Sequence, residues 1–312
     1  MLLGIGLMAT AVCAAGLVWL GASGRSAGRW PRYGNAGLIA LVVLELLLAL
    51  RVPVVETFFT AAVWTAYIVA VDAAVRRRRG NSLLGHPGAF AALALLSIPG
   101  WLIFEAYNLR LRNWAYVGVP DNFWVFILGA AWAFATIYPG IFETADLIHA
   151  SWTASWRTRP WLRRRRLERD LFVLGVACLI IPLALPAAWA AYSFALVWAG
   201  LIFLLEPLQR RRGWPSLLGD LERGEPGRVA ALLLAGAVCG VFWEFWNYRA
   251  AARWEYIFPI LHRYRIFAMP VPGFLGFPPF AMECFATYVV LSQCLLPPAL
   301  RADPLPAPIM LA

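Results

Sequence analysis

Trp243-Glu244-Phe245-Trp246-Asn247-Tyr248-Arg249 decides how this chain is read, because an earlier stretch, Phe104-Glu105-Ala106-Tyr107-Asn108-Leu109-Arg110, repeats its pattern. Both fit Glu-x-x-Asn-x-Arg with aromatic residues between. Each is followed by Trp-x-Tyr: Trp114 and Tyr116 after the first, Trp254 and Tyr256 after the second. Each closes a long apolar run, where an ionisable group is costly unless it has a partner or a task. On a helix Glu244 and Asn247 share a face, as do Glu105 and Asn108.

The chain around them has 312 residues, of which 62% are hydrophobic and 14% charged, and a mean hydropathy of +0.68. Apolar runs of about 17–25 residues recur, the length that crosses a hydrocarbon core. This composition excludes an ordinary soluble domain and predicts an all-α, polytopic membrane helix bundle. The formal net charge of +10 does not argue for nucleic acid, because the arginines sit in short loops between apolar runs, as in cytoplasmic loops. All 27 basic residues are arginine, as a GC-rich genome would give. The five cysteines (Cys13, Cys178, Cys239, Cys284, Cys294) lack C-x-x-C spacing and read as small core residues.

In chain order, 2–20 is a first span. Its positive charges (Arg25, Arg29, Arg32) follow it, unlike a cleaved signal peptide, so the N-terminus is expected outside. Segments 36–50 and 57–75 follow, broken at Arg51-Val52-Pro53, and Arg76 to Arg79 mark a cytoplasmic loop. Segment 87–107 runs outward. The apolar stretch 122–155 would be roughly 50 Å long as one helix, too long for one span. It divides into a kinked or interfacial lead-in, 122–138, and a span, 139–156. After Arg157 and Arg163 to Arg166 come 171–185, 188–205, the Arg210 to Arg212 loop, and 228–248. Segment 270–279, rich in Pro and Gly, cannot be a regular helix. Segment 280–296 is the last span, and a Pro-rich tail from 297 is expected to be disordered. About nine spans with the C-terminus inside satisfy the arginine clusters.

The second half repeats the plan of the first. Trp64, Asp72, Arg76 to Arg78 and Ser82-Leu83-Leu84-Gly85 match Trp198, Glu206, Arg210 to Arg212 and Ser216-Leu217-Leu218-Gly219 at a constant offset of 134. The Glu-x-x-Asn-x-Arg copies are offset by 139, and Glu143 and Glu283 by 140. This predicts two parallel four-span repeats after a first helix. The division is 1–33 for the first helix and its loop, 34–156 and 157–296 for the repeats, and 297–312 for the tail.

Duplication singles out Asp72/Glu206, Glu105/Glu244, Glu143/Glu283 and Arg110/Arg249. Glu45, Glu56, His86, His149 and His262 have no counterpart. Asp72 and Glu206 precede arginine triplets and read as helix-end salt bridges or orientation locks. Glu105, Glu244, Glu143 and Glu283 all fall towards the outer half and could converge around a pseudo-two-fold, with Asn108 and Asn247 beside them. Three readings fit that set. One is a structural network pairing each Glu with an Arg or Trp N–H of the other half. Another is acid–base catalysis in a water-poor pocket, and the third is a cation or proton pathway. No duplicated His and no Asp-rich run argue against a transition metal or Mg²⁺ with a diphosphate, and no metal or cofactor is expected.

Aromatic content adds 16 Trp, 10 Tyr and 19 Phe, many near the duplicated glutamates. Such walls suit a long apolar ligand, although Trp and Tyr collect at any membrane interface. Trp243, Trp246, Trp254 and Tyr256, with Trp114 and Tyr116, are therefore candidate binding residues, together with Asn247, Asn108, Arg249 and Arg110. Glu244, Glu105, Glu283 and Glu143 are the candidate catalytic residues.

The run Trp243-Glu244-Phe245-Trp246-Asn247-Tyr248, with Gly273-Phe274-Leu275-Gly276-Phe277-Pro278-Pro279-Phe280-Ala281-Met282-Glu283-Cys284, resembles a family of uncharacterised bacterial multi-pass membrane proteins. In architecture the chain is also similar to the membrane-embedded lycopene cyclases and related terpenoid cyclases. Those use carboxylic acids to protonate and cyclise an isoprenoid without redox change; this chain lacks their adjacent Glu-Glu pair. The leading expectation is a bacterial inner-membrane enzyme acting on a lipid or isoprenoid, with Glu244 or Glu105 as general acid. A transporter or channel framed by the two halves, and a scaffold subunit, are the other expectations. The partner expected is a membrane lipid or apolar small molecule, and no nucleic acid.

Overall fold

The computed structural model describes residues 2–302 except 24–25, 162–164, 258–259 and 262. Helix α1 (Leu3–Ala22) buries only Gly6, Leu20 and Gly21 and turns the rest of its apolar surface outward. A helix apolar all round and largely uncovered by protein suits a hydrocarbon solvent. Helices α2 (Arg32–Ala49) and α3 (Pro53–Arg79) form a hairpin closed at the predicted break, where Arg51 is left-handed and Pro53 opens α3. Proline fits there because the first helical N–H has no partner to lose. Gly34 and Gly37 let α2 approach Ala73 and Ala70 of α3 closely. Arg76 to Arg79 fill the last turn of α3, and Gly80, at φ +81°, caps it, as the left-handed residue of a helix end.

A 3-10 turn (Leu83–Gly85) leads into α4 (Pro87–Leu111), and α4 into strand β1 (Trp114–Val117). Helix α5 (Phe123–Ala135), capped by the Asn122 side chain on the N–H groups of Trp124 and Val125, has no buried residue. After a break at Thr136, every residue of α6 (Ile137–Ile148) is buried, and a π turn (His149–Thr153) ends it. The kinked lead-in and the span behind it are therefore two consecutive helices of opposite environment. Next come α7 (Arg165–Ala184), short α8 (Ala187–Ala190), α9 (Phe194–Arg212), short α10 (Leu217–Glu222) and α11 (Gly227–Arg249). Strands β2 (Arg253–Tyr256), β3 (Arg265–Ile266) and β4 (Met269–Pro270) precede a 3-10 segment (Val271–Gly276), α12 (Phe277–Leu295) and a last 3-10 turn (Pro298–Leu300). The tail predicted from 297 lies mostly outside the described residues.

Among the described residues, seven helical segments are long and apolar enough to cross a membrane: 3–22, 32–49, 53–79, 87–111, 123–153, 227–249 and 271–295. Helices α7 and α9 pack along one another but carry charges near their ends (Glu168, Arg169, Asp170; Glu206, Arg210, Arg211). The core is built from α3, α6, α11 and α12, with α6 lying against α3, α4 and α11, and α12 against α11, α9 and α4. Trp64, fully buried, is the hub: its ring stands 4.8 Å from Trp243 and 5.0 Å from Trp246, against the bare face of Gly140.

The arginine-bearing ends gather together. Arg78 Nε donates to Leu20 O at 2.8 Å, Ser151 Oγ to the same carbonyl at 3.3 Å, and Thr153 Oγ1 to Gly227 O at 2.8 Å. At the opposite end the backbone is extended, which the sequence reading did not expect. Strand β1, leaving α4, pairs antiparallel with β2, leaving α11: Trp114 faces Tyr256 and Tyr116 faces Trp254. Ala251 N donates to Glu56 O at 3.1 Å, tying this ribbon to the first turn of α3. Gly118, at φ +65°, turns the chain out of β1, and a Cβ there would lie 2.2 Å from Ala251 O.

Candidate functional site

The ribbon exists because two asparagines terminate two helices in the same way. Asn108 Nδ2 donates to Trp114 O at 2.9 Å while its Oδ1 accepts from Trp114 N at 3.2 Å. Asn247 Nδ2 donates to Trp254 O at 2.9 Å and its Oδ1 accepts from Trp254 N at 3.0 Å. Each side chain stands in for a neighbouring strand, satisfying one donor and one acceptor that the helix end leaves open. These two residues are anchors of the ribbon, three residues after each glutamate.

Side chains alternate along a strand, so Trp114 and Tyr116 share a face, as do Trp254 and Tyr256. All four line a cavity of about 370 Å³ beneath the ribbon. Its walls come from α3 (Phe58, Ala61), α4 (Trp101), α5 (Phe126, Gly129, Phe134), α9 (Phe194, Trp198), α11 (Trp243) and α12 (Phe277, Phe280). The volume falls within the range of small-ligand sites, and the lining is predominantly aromatic and aliphatic, as those sites are.

Behind this roof stand the two ribbon-end carboxyl groups. Glu105 Oε1 accepts from Tyr116 OH at 2.5 Å, Trp101 Nε1 at 2.7 Å and Trp114 Nε1 at 3.3 Å. Glu244, with 0% exposure, accepts from Tyr256 OH at 2.6 Å through Oε1, and its Oε2 has no hydrogen-bond partner. Trp254 Nε1 donates to Tyr256 OH at 2.8 Å, so that hydroxyl lies between an indole and a carboxyl group. Each carboxyl group is thus one hydrogen bond behind a tyrosine of the cavity wall. The partners belong to the same segment of chain as the glutamate, not to the opposite half as the network reading expected. Burial, then the neighbouring carboxylate, pushes the hydroxyls of Tyr116 and Tyr256 well above the usual tyrosine range.

The four carboxylates do not converge. Helices α6 and α12 begin at the cavity, through Ile137, Phe277 and Phe280, and run away from it. Glu283, one turn past Phe280, takes Thr287 Oγ1 at 2.6 Å, and its Oε2 has no partner. Glu143 lies about 9 Å down α6 from Ile137, with neither oxygen hydrogen-bonded, facing Asp72, Asp146 and Arg79. Asp146 pairs with Arg79. The remaining candidates are also dispersed. Trp246 Nε1 donates to Glu45 at 3.1 Å, Arg249 pairs with Glu45, and Arg110 Nη2 donates to Leu185 O at 2.6 Å. Glu45, set aside for lack of a duplicate, is thus the anchor of α2 against the end of α11.

Asp72 and Glu206 do not pair with the arginines that follow them. Asp72 accepts from Tyr33 OH at 2.5 Å, Ser82 Oγ at 2.9 Å and Leu84 N at 2.8 Å. Glu206 accepts from Ser216 Oγ at 2.8 Å and Leu218 N at 3.0 Å. Both hold the first turn of the short helix that follows, whose N–H groups are otherwise open. The arginines lie one or more turns further on, and Arg76, Arg211 and Arg212 are exposed.

Of the sequence candidates, then, the cavity gathers Trp114, Tyr116, Trp243, Trp254 and Tyr256, with Glu105 and Glu244 directly behind. It adds Trp101, Trp198, Phe134, Phe277 and Phe280; Trp198 stood out in the sequence as the counterpart of Trp64, and Phe277 and Phe280 lie in the run 273–284. Compared with protein-family models, curated proteins and solved structures, the chain matches none.

Proposed function

We propose that this is an integral membrane enzyme of two related halves that takes an apolar lipid or isoprenoid-like molecule into the aromatic cavity and moves protons on it. Glu244 and Glu105 act as acid and base through Tyr256 and Tyr116. One observation carries the reading: two cavity-facing tyrosines each hold a hydroxyl on a carboxyl group, half-buried at Glu105 and fully buried at Glu244. A proton donor positioned in such a site contributes about 10²–10⁴-fold to a rate. Aromatic faces stabilise positive charge that develops on a protonated hydrocarbon. The chemistry that fits is proton addition and removal at carbon without redox change.

The matching hydrogen bonds of Asp72 and Glu206, and of Asn108 and Asn247, support two parallel halves, 34–156 and 157–296. So does the ribbon, whose register is self-complementary if Trp114 corresponds to Trp254 and Tyr116 to Tyr256. With α7 and α9 added to the seven apolar segments, the chain crosses nine times. The arginine end then faces the cytoplasm of a bacterial inner membrane, with the N-terminus outside and the C-terminus inside.

A second reading, a transporter or channel, is favoured by Glu283 and Glu143. Their unpartnered oxygens lie beyond the cavity on the helices that lead from it, and intramembrane carboxylates mark ion and proton routes. Lipid extracts of cells with and without the gene, compared by mass spectrometry, separate the two. A new or missing apolar product that depends on Glu244 supports the enzyme. Unchanged lipids with altered ion or solute uptake discard it in favour of transport.

A further inference from the structure

The cleft at the arginine end is independent of the aromatic cavity and of any reading of it. The segment before α2 folds over the last turn of α3. Gly28 N donates to Arg77 O at 2.9 Å, Ala27 N to Arg78 O at 3.4 Å, and Gly80 N to Arg76 O at 2.8 Å. A Cβ on Gly28 would lie 2.8 Å from Arg76 O, so the close seat depends on glycine. These bonds use the carbonyls that a helix end leaves open, and the cleft floor is not a row of free acceptors. Arg29, Trp30, Tyr33 and Arg76 line it.

Its charge is unbalanced. Among the described residues Arg79 pairs with Asp146, Arg210 with Glu222, Arg211 with Glu168 and Arg223 with Asp220. Arg29 and Arg76, both exposed, have no ion pair there. The carboxylate nearest in sequence to Arg76, Asp72, is 0% exposed and already takes the Tyr33 and Ser82 hydroxyls and Leu84 N. Trp30 Nε1 is held by Asn35 Oδ1 at 2.9 Å, which fixes the indole in the wall of the cleft that Arg29 and Arg76 also line. Paired guanidinium forks match the oxygens of a phosphate, and an indole suits the headgroup level of a bilayer.

We propose that Arg29 and Arg76 clamp a phosphate group in this cleft, either the headgroup of an anionic phospholipid or free phosphate. Basic pockets between helices on a cytoplasmic face hold anionic headgroups by this chemistry. The test uses the full-length protein purified in detergent, with R29Q, R76Q, the double variant and R212Q as a control at another exposed arginine. Native mass spectrometry measures retention of phosphatidylglycerol against phosphatidylcholine, and scanning fluorimetry measures stabilisation by inorganic phosphate. Phosphatidylglycerol should be retained selectively by the wild type, with affinity falling roughly tenfold for each arginine removed and unchanged in R212Q. Stabilisation by inorganic phosphate that the double variant loses, with the two lipids retained equally, assigns the clamp to free phosphate. The proposal is overturned if neither anion binds, or if R212Q weakens binding as much as R29Q and R76Q. Unliganded melting temperatures of R29Q and R76Q equal to wild type exclude misfolding as the cause, since both side chains are exposed.

Discussion

Replacing Glu244 by Gln should remove a proton-exchanging group while changing little else. The carboxyl group is fully buried, with Oε1 receiving Tyr256 OH at 2.6 Å and Oε2 receiving nothing. Glutamine offers its oxygen to the same hydroxyl and places its amide nitrogen where an unpartnered oxygen already stood. The difference is that between a hydrogen bond to a carboxyl group and one to an amide, about 1 kcal/mol. At about 2–4 °C per kcal/mol, the melting temperature falls by a few degrees. Tyr256→Phe is the harsher change, because it takes a hydroxyl from between Glu244 Oε1, which is buried, and the indole of Trp254, which is half-buried. Orphaning the buried carboxyl oxygen costs roughly 1–3 kcal/mol, and the lost indole bond adds about 1 kcal/mol. The two variants should therefore rank oppositely. E244Q keeps the fold and loses the lipid product, while Y256F loses more stability. Scanning fluorimetry in one detergent, beside quantification of the apolar product, reads both quantities. If E244Q melts far below Y256F while its surviving fraction turns over normally, the carboxyl group is structural and the catalytic reading fails.

The remaining predictions concern topology, the arginine end and pH. A reporter active only in the cytoplasm should work when fused after Arg301 and fail when fused before Met1; the reverse pattern discards the nine-span arrangement. Glu206→Gln should lower the melting temperature and leave product formation intact, because Glu206 holds Ser216 and Leu218 N far from the ribbon; loss of product at unchanged stability contradicts this. The hydroxyls of Tyr116 and Tyr256 are raised by burial and then by Glu105 and Glu244. A raised folded value contributes stability that is whole below the unfolded value, about 10, and is lost as pH rises beyond it. Melting should thus fall above about pH 10, and more weakly in the Y116F/Y256F double variant; equal slopes would rule out these two groups.

Much of the scaffold was legible because hydrocarbon solvent imposes a simple rule of length and apolarity, as α1, α4 and α11 illustrate. The Pro-rich break before α12 and the kink near Thr136 were legible for a related reason, since lost backbone donors and a change of environment both leave marks in sequence. The ribbon was not. Four-residue strands are short, and what makes them strands is the Asn108 and Asn247 side chains, whose role depends on where the helix stops. Duplication also misled in two ways. It recommended Glu143 and Glu283 as neighbours of Glu105 and Glu244, although the sequence does not record how far along a helix a site extends. It set aside Glu45, whose partner Arg249 lies across the fold and could not be found by comparing the halves.

The pairing of β1 with β2 carries a consequence for synthesis. Strand β1 precedes its partner by about 140 residues, which a ribosome adds in roughly 7–28 s at 5–20 residues per second. Through that interval the backbone edge of β1 is unpaired outside the apolar core, and unpaired edges recruit other strands. Asn108 covers only the other edge, since Trp114 N and Trp114 O, which it holds, point away from β2. It keeps β1 extended before the second half exists, so Asn108→Ala should harm yield more than Asn247→Ala, whose strand emerges with its partner waiting.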